Sequence, residues 1–291
     1  FYFPWMTLRN TETGGKSKAV FAYCAEQVWL HDRDRYLCSL FAGSRGRHAL
    51  WALYALNLEL ARAREVVTQP MLGEVRLRWW HDTLECLFQG QSTGHPVVQA
   101  LAQSWPSVGK VQNILLSLVD SRILELNGRV PKTLGELEGY LERTSSSLMR
   151  LSLSALGVDD ESARAAGSRI GLAWGLVGLI RSLPFSSGPA QLSVPCSIFS
   201  ELGCSLEEKK GGPSRNLNSA VRVLAERATF HVCRSRELVL KAPSTARAVL
   251  SLGALTRLYL NRITRADYDP YVADFNVSSL RRLVKIGVSW R

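Results

Sequence analysis

The sequence predicts an all-α fold, and three observations carry that prediction. Apolar residues recur at three- and four-residue spacing through most of the chain, which is the period of one helix face. Helix start and stop signals flank those segments. No run alternates apolar and polar residues between hairpin turns, as a half-buried strand would.

In chain order, Leu50, Leu53, Tyr54, Asn57, Leu58 and Ala61 share the first clear helix face. Pro70 opens the next helix at a first-turn position, where its missing N–H costs nothing. That helix runs through Leu72, Val75, Leu77, Trp79, Trp80 and Leu84 and stops at Gly90. Residues 109–127 form another helix, ended by Asn127-Gly128. Thr133-Leu-Gly-Glu136 reads as a capping box, the Glu side chain reaching back to the cap, and starts a helix to about Leu156. Gly157 and Asp159-Asp160 break the chain before a helix over 160–182. Ser186–Pro189 is a loop, and helices follow at about 215–241, 244–264 and 278–289. The reading is one domain over 1–291, with Gly211-Gly-Pro213 the one candidate subdomain break.

The 291 residues, 46% hydrophobic and 21% charged, are enough to bury a large core. The longest apolar run, Ile170 to Ile180, is 11 residues. A membrane-spanning helix needs about 20, so no transmembrane segment is predicted. Six cysteines form no CxxC pair and lie in no ligand spacing with the histidines, so reduced thiols are expected. Trp79-Trp80 reads as core plus edge packing, and His31 and His81 as surface or capping groups.

Net charge is +11, and it is unevenly placed. Residues 1–208 hold 20 basic and 20 acidic side chains, whereas residues 209–291 hold 16 Lys and Arg against five acids. Arginine outnumbers lysine 28 to 8, which suits bidentate phosphate contacts. An anionic partner is therefore in view, either a nucleic acid such as ribosomal RNA or an acidic lipid surface. Lys209, Lys210, Arg215, Arg222, Arg281, Arg282 and Lys285 are the candidate contacts. Near the start, Arg9, Lys16 and Lys18 stand against Glu12 with no secretory apolar region, which fits the remnant of an organellar leader.

Two segments carry a resemblance. One is Ala52-Leu-Tyr-Ala-Leu-Asn-Leu-Glu-Leu-Ala-Arg-Ala-Arg-Glu65; the other is Gly171-Leu-Ala-Trp-Gly-Leu-Val-Gly-Leu-Ile-Arg-Ser-Leu-Pro-Phe185. Their order and surroundings resemble the squalene/phytoene synthase family over nearly the whole chain, which implies an isoprenoid-synthase-like helical fold. That family places aspartates at these positions, because ionising an allylic diphosphate needs magnesium held by carboxylates. Here the leading acids of the first motif are Ala61 and Arg62, and only the last survives, as Glu65. In the second motif the Gln and Asn positions are Gly175 and Gly178, Arg181 is kept, the next Asp is Ser182, and the later acid falls near Phe185. A family tyrosine segment reads Arg143-Thr-Ser-Ser146. Arg62 and Arg64 would repel a metal ion, so no metal site, no cofactor and no catalytic residue is predicted. Close helix packing is the expected reason for Gly175 and Gly178.

Within that family, His31-Asp-Arg-Asp-Arg-Tyr-Leu-Cys-Ser-Leu40, Leu56-Asn-Leu-Glu-Leu-Ala61, Pro70–Trp80, His95-Pro-Val-Val98 and Ser289-Trp-Arg291 resemble the mitochondrial complex I assembly factor 6 branch. That resemblance implies a non-catalytic protein of the mitochondrial matrix, associated with the inner membrane, whose partners are protein subunits of a complex under assembly. Two further readings stay open: an RNA-contacting factor of the assembling mitochondrial ribosome, and a surviving prenyl transferase or lipid carrier.

Overall fold

The computed structural model describes residues 13–63, 70–91, 93–105, 107–126, 131–185, 194–203 and 214–289. Fifteen α-helices follow one another, and no strand occurs among the described residues. They are α1 (Thr13–His31), α2 (Arg33–Ser39), α3 (Ser44–Arg62), α4 (Pro70–Phe88), α5 (Pro96–Ser104), α6 (Gln112–Leu126), α7 (Leu134–Leu141), α8 (Ser147–Ala155) and α9 (Glu161–Ser182). Then come α10 (Cys196–Glu201), α11 (Arg215–Arg234), α12 (Arg236–Lys241), α13 (Arg247–Leu250), α14 (Leu252–Arg265) and α15 (Ser279–Val288).

The helix α9 is central: α8, α11, α12 and α14 all pack on it. Its sequence explains why, since Ile170, Ala173, Leu176, Val177, Leu179 and Ile180 spread around much of its circumference and are all buried. A helix apolar on most sides belongs inside. On the other side α1, α3 and α5 pack together, with Leu50, Leu53, Leu56 and Leu60 of α3 fully enclosed. Each such leucine stabilises the fold by roughly 1.5–3 kcal/mol relative to an exposed one.

The caps are local and polar. The Asp32 carboxylate accepts from Arg35 N–H, Asp160 from Ala163 N–H and Ser214 Oγ from Leu217 N–H. The His95 ring does the same for α5, its Nδ1 accepting from Val97 N–H at 3.2 Å ahead of Pro96. Gly90 and Gly157 end their helices at φ of 77° and 71°, values that suit glycine.

Four predicted helices differ in detail. The stretch from Thr133 is interrupted by a π-turn over Glu142–Ser146, between α7 and α8. In its capping box Thr133 Oγ1 accepts from Glu136 N–H, but the Glu136 carboxylate accepts from Lys132 N–H at 2.8 Å, one residue before the cap. The predicted 215–241 helix breaks at Ser235, and the 244–264 helix starts as a 3₁₀ turn and breaks at Ser251. At both breaks the hydroxyl bonds a carbonyl three residues back (Val232 and Ala248), a local alternative that unsettles the regular ladder. The predicted 109–127 helix also begins as a 3₁₀ turn, at Val108–Val111.

The π-turn has a visible purpose. A Cβ on Gly171 would lie 2.5 Å from Ser146 Cα and 2.8 Å from Ser146 N, so the backbones of α9 and the turn touch. Ser146 Oγ donates to the Ser168 carbonyl at 2.9 Å across the same contact. Gly175 is likewise packed, facing Leu141 Cδ2. Gly178 is the correction: it is exposed, and a Cβ there would meet nothing, so packing does not explain it. Gly211-Gly-Pro213 and the Ser186–Pro189 loop lie outside the described residues.

Candidate functional site

Elements far apart in sequence converge on one buried carboxylate, Asp34 in the first turn of α2. Tyr259 of α14 donates its hydroxyl to both Asp34 oxygens, at 2.8 and 2.9 Å. Arg181, at the end of α9, reaches Asp34 Oδ2 at 3.3 Å. Arg282 of α15 forms an ion pair with Oδ1 at 3.1 Å. That pair is a charge contact rather than an aligned hydrogen bond, since Arg282 Nε finds no hydrogen-bond partner. Burial first, then the Asp34 charge, pushes the Tyr259 hydroxyl well above its usual range, so it stays a donor.

Aromatic rings close the cluster. The Arg181 guanidinium lies 4.2 Å over the Tyr259 ring and 5.8 Å from that of Trp174. Next to them the buried Arg35 is held by Asp32 at 2.5 Å and sits 5.7 Å from the rings of Tyr54 and Trp174. Three arginines (35, 181, 282) face two aspartates (32, 34), so the cluster carries one net positive charge. Such a site locks helices together and repels a divalent cation.

Of the motif positions, Arg181 belongs to this cluster and Ser182 follows it on α9. Ala61 and Arg62 end α3, and Arg62 NH1 donates to Gln27 Oε1 of α1 at 3.2 Å. Glu59, one turn earlier, is buried and paired with Arg76 at 2.6 Å. Ser182 Oγ bonds the Leu179 carbonyl of its own helix, and Phe185 is exposed. Glu65 and Arg64 lie outside the described residues. The structure therefore joins Arg181 to a partner, Asp34, that sequence reasoning did not single out. The available signal was the alternation Asp32-Arg-Asp-Arg35 at a helix start, two acids and two bases beside a long apolar face.

The basic candidates separate. Arg282 is buried on Asp34, so it is not presented to a surface partner. That is a physical consequence of its place on the inner face of α15, beside Ile286. Arg215, Arg281 and Lys285 are exposed, and Arg222 is exposed but lies 4.9 Å over the Tyr268 ring. Lys209 and Lys210 lie outside the described residues.

Elsewhere, Trp80 is buried and Trp79 exposed, as expected of a core-plus-edge pair. His31 is exposed at the end of α1, and His81 sits at the surface of α4 beside Asp82 and Glu85, at 3.9 and 3.8 Å. These three offer ligand atoms within 4.8 Å of one another, but Asp82 and Glu85 are solvated. A second, half-buried pairing joins α7 to α11: Arg227 grips Glu138 through two bonds of 2.6 and 2.9 Å, and the buried His231 has Nε2 2.6 Å from the same carboxylate. No helix among the described residues is long and apolar enough to cross a membrane.

Comparison with known proteins adds to this geometry. Residues 29–287 match the family model described as squalene/phytoene synthase. The chain is 30% identical over 248 residues to the rat protein named NADH dehydrogenase (ubiquinone) complex I, assembly factor 6, covering 85% of this chain and 74% of that one. The human protein of the same name is 29% identical over the same shares. A presqualene diphosphate synthase of Sinorhizobium fredii is 25% identical over 166 residues, 56% of this chain and 58% of that one. Among solved structures, a dehydrosqualene synthase superposes with a TM-score of 0.83 at 17% identity, over 96% of this chain and 98% of that one. At that identity the likeness is one of fold.

Proposed function

Because the chain belongs to the squalene/phytoene synthase family, we propose that it keeps the family's helical frame and acts, without catalysis, as an assembly factor for a mitochondrial respiratory complex of the complex I type. The observation that carries this reading is the state of the old site. Where the family's leading acids would stand are Ala61 and Arg62, and the buried Asp34 is taken up by Tyr259, Arg181 and Arg282. A leaving diphosphate needs magnesium, and magnesium needs carboxylate oxygens free to coordinate it. The similarity to proteins named as complex I assembly factors, over most of the chain, supports the assembly role.

On this reading the working surface is the exterior, and the partners are protein subunits of the complex being built. The protein works in the mitochondrial matrix, at the face of the inner membrane. A ribosomal RNA partner has less support. Of the basic residues that pointed to it, Arg282 is turned inward and Arg222 is stacked on Tyr268.

The test is complementation. Cells lacking the protein are expected to lose assembled complex I on a native gel, and both the wild type and Glu65→Gln are expected to restore it. Purified protein given farnesyl or geranylgeranyl diphosphate with magnesium is expected to release no diphosphate. Turnover abolished by Glu65→Gln would overturn the non-catalytic reading.

A further inference from the structure

A groove of about 600 Å³ lies between α12, α13 and α14 at the end of α15, and its lining includes no residue of the Asp34 cluster. That volume falls within the roughly 300–1,000 Å³ of ordinary small-molecule sites. Two kinds of lining meet in it. Arg236, Arg247 and Arg257 supply positive charge, and among the described residues no Asp or Glu lines the groove. Val239, Leu240, Leu250 and Val288 supply apolar surface.

The placement follows from helix spacing. Arg236 and Leu240 stand one turn apart on α12, and Ala254 and Arg257 one turn apart on α14, so each helix offers the groove a cation beside apolar surface. Burial first, and then the neighbouring Arg236 charge, draws the Arg257 guanidinium below its usual range. An anion between the two would relieve that repulsion. At the rim, Leu240 is 80% exposed and Val288 59% exposed, large apolar side chains left in water. Val288 also ends a stripe with Leu280 and Val284, four residues apart on the outward face of α15. Contiguous apolar surface next to cations marks a site for something both greasy and negative.

We propose that this groove binds a phosphate-headed amphiphile with a single hydrocarbon chain. Arg236, Arg247 and Arg257 take the phosphate, and Leu240, Leu250 and Val288 take the chain. The site is independent of the assembly role. It needs neither magnesium nor any residue of the Asp34 cluster.

The experiment titrates the full chain with dodecyl phosphate below its critical micelle concentration, by calorimetry. Inorganic phosphate, dodecyl maltoside and phosphatidylcholine vesicles containing phosphatidic acid serve as separate arms. Cys233 lines the groove and is exposed, so its alkylation rate, followed by peptide mass spectrometry, gives a second readout. The expected result is saturable dodecyl phosphate binding that slows Cys233 alkylation. Arg236→Ala with Arg257→Ala is expected to weaken it at least tenfold, and Leu240→Ser several-fold, with unchanged melting curves. Undiminished binding by these variants overturns the proposal, as does equal binding of inorganic phosphate or of dodecyl maltoside. Binding to the vesicles alone, with no binding of monomeric dodecyl phosphate, also overturns it, since that is surface docking rather than a groove site.

Discussion

Asp34, in the first turn of α2, holds Arg282 of the last helix at 3.1 Å, with both residues buried. The pair closes the fold end to end, and Tyr259 and Arg181 complete it from α14 and α9. Four helices thus share one carboxylate. Pairing buried charges rarely adds net stability over an apolar core, but removing one partner is expensive, because the others remain buried and uncompensated.

Asp34→Asn is therefore expected to destabilise the protein by about 3 kcal/mol. The amide keeps the shape and a bond to Tyr259, but leaves Arg181 and Arg282 without a counter-charge. Adding Arg282→Met removes one stranded cation and is expected to recover part of the loss. Urea midpoints of the two variants and the wild type check this. A wild-type midpoint for Asp34→Asn would mean the cluster is not a lock.

Two glycines of α9 are expected to respond in opposite directions. Gly171→Ala places a methyl against the backbone of Ser146, which has no flexible end to move aside, and is expected to cost about 1–3 kcal/mol. Gly178→Ala meets open space on an exposed helix face and is expected to stabilise by up to about 1 kcal/mol. Thermal melts of the pair, one above and one below the wild type, are the check.

The helices were legible because their signals are local. Pro70, Thr133, Gly90 and Gly157 mark ends through their own backbone chemistry, and the structure places ends there. The partner of Arg181 was not legible, because a bond between α2 and α9 depends on packing that no spacing encodes. Arg282 misled for the same reason: beside Arg281 it reads as a solvated cation, and only the rotation of α15 turns it inward. Gly175 and Gly178 look alike in sequence, yet one faces Leu141 and the other faces water. The π-turn at 142–146 leaves no periodic trace either, since it answers to the approach of Gly171.

The thiols are expected to react in order of burial. Cys24 and Cys38 are enclosed, and burial pushes both up to about 12, so neither forms a thiolate near neutrality. Cys233 is exposed. At pH 8, iodoacetamide is expected to label Cys233 in the folded protein and to reach Cys24 and Cys38 only after denaturation. Peptide mass spectrometry before and after urea decides it. Early labelling of Cys38 would show that α2 opens readily.

The Glu138 pairing sets an acid limit on stability. Burial works against its ionisation, but the hydrogen bonds from Arg227 and His231 outweigh burial and hold the carboxyl below its ordinary range. Its pKa is thus lower folded than unfolded, and the folded state binds fewer protons in the acid range. The stabilisation is present above the unfolded value of about 4.3 and is lost as pH falls through the lowered folded value. Glu138→Gln cannot titrate, so it is expected to be less stable than the wild type at pH 7, with the difference shrinking below about pH 4. Urea midpoints measured from pH 7 to pH 3 check the convergence. Parallel curves would show that another carboxylate sets the acid limit, and that the α7–α11 contact rests on packing rather than on this charge.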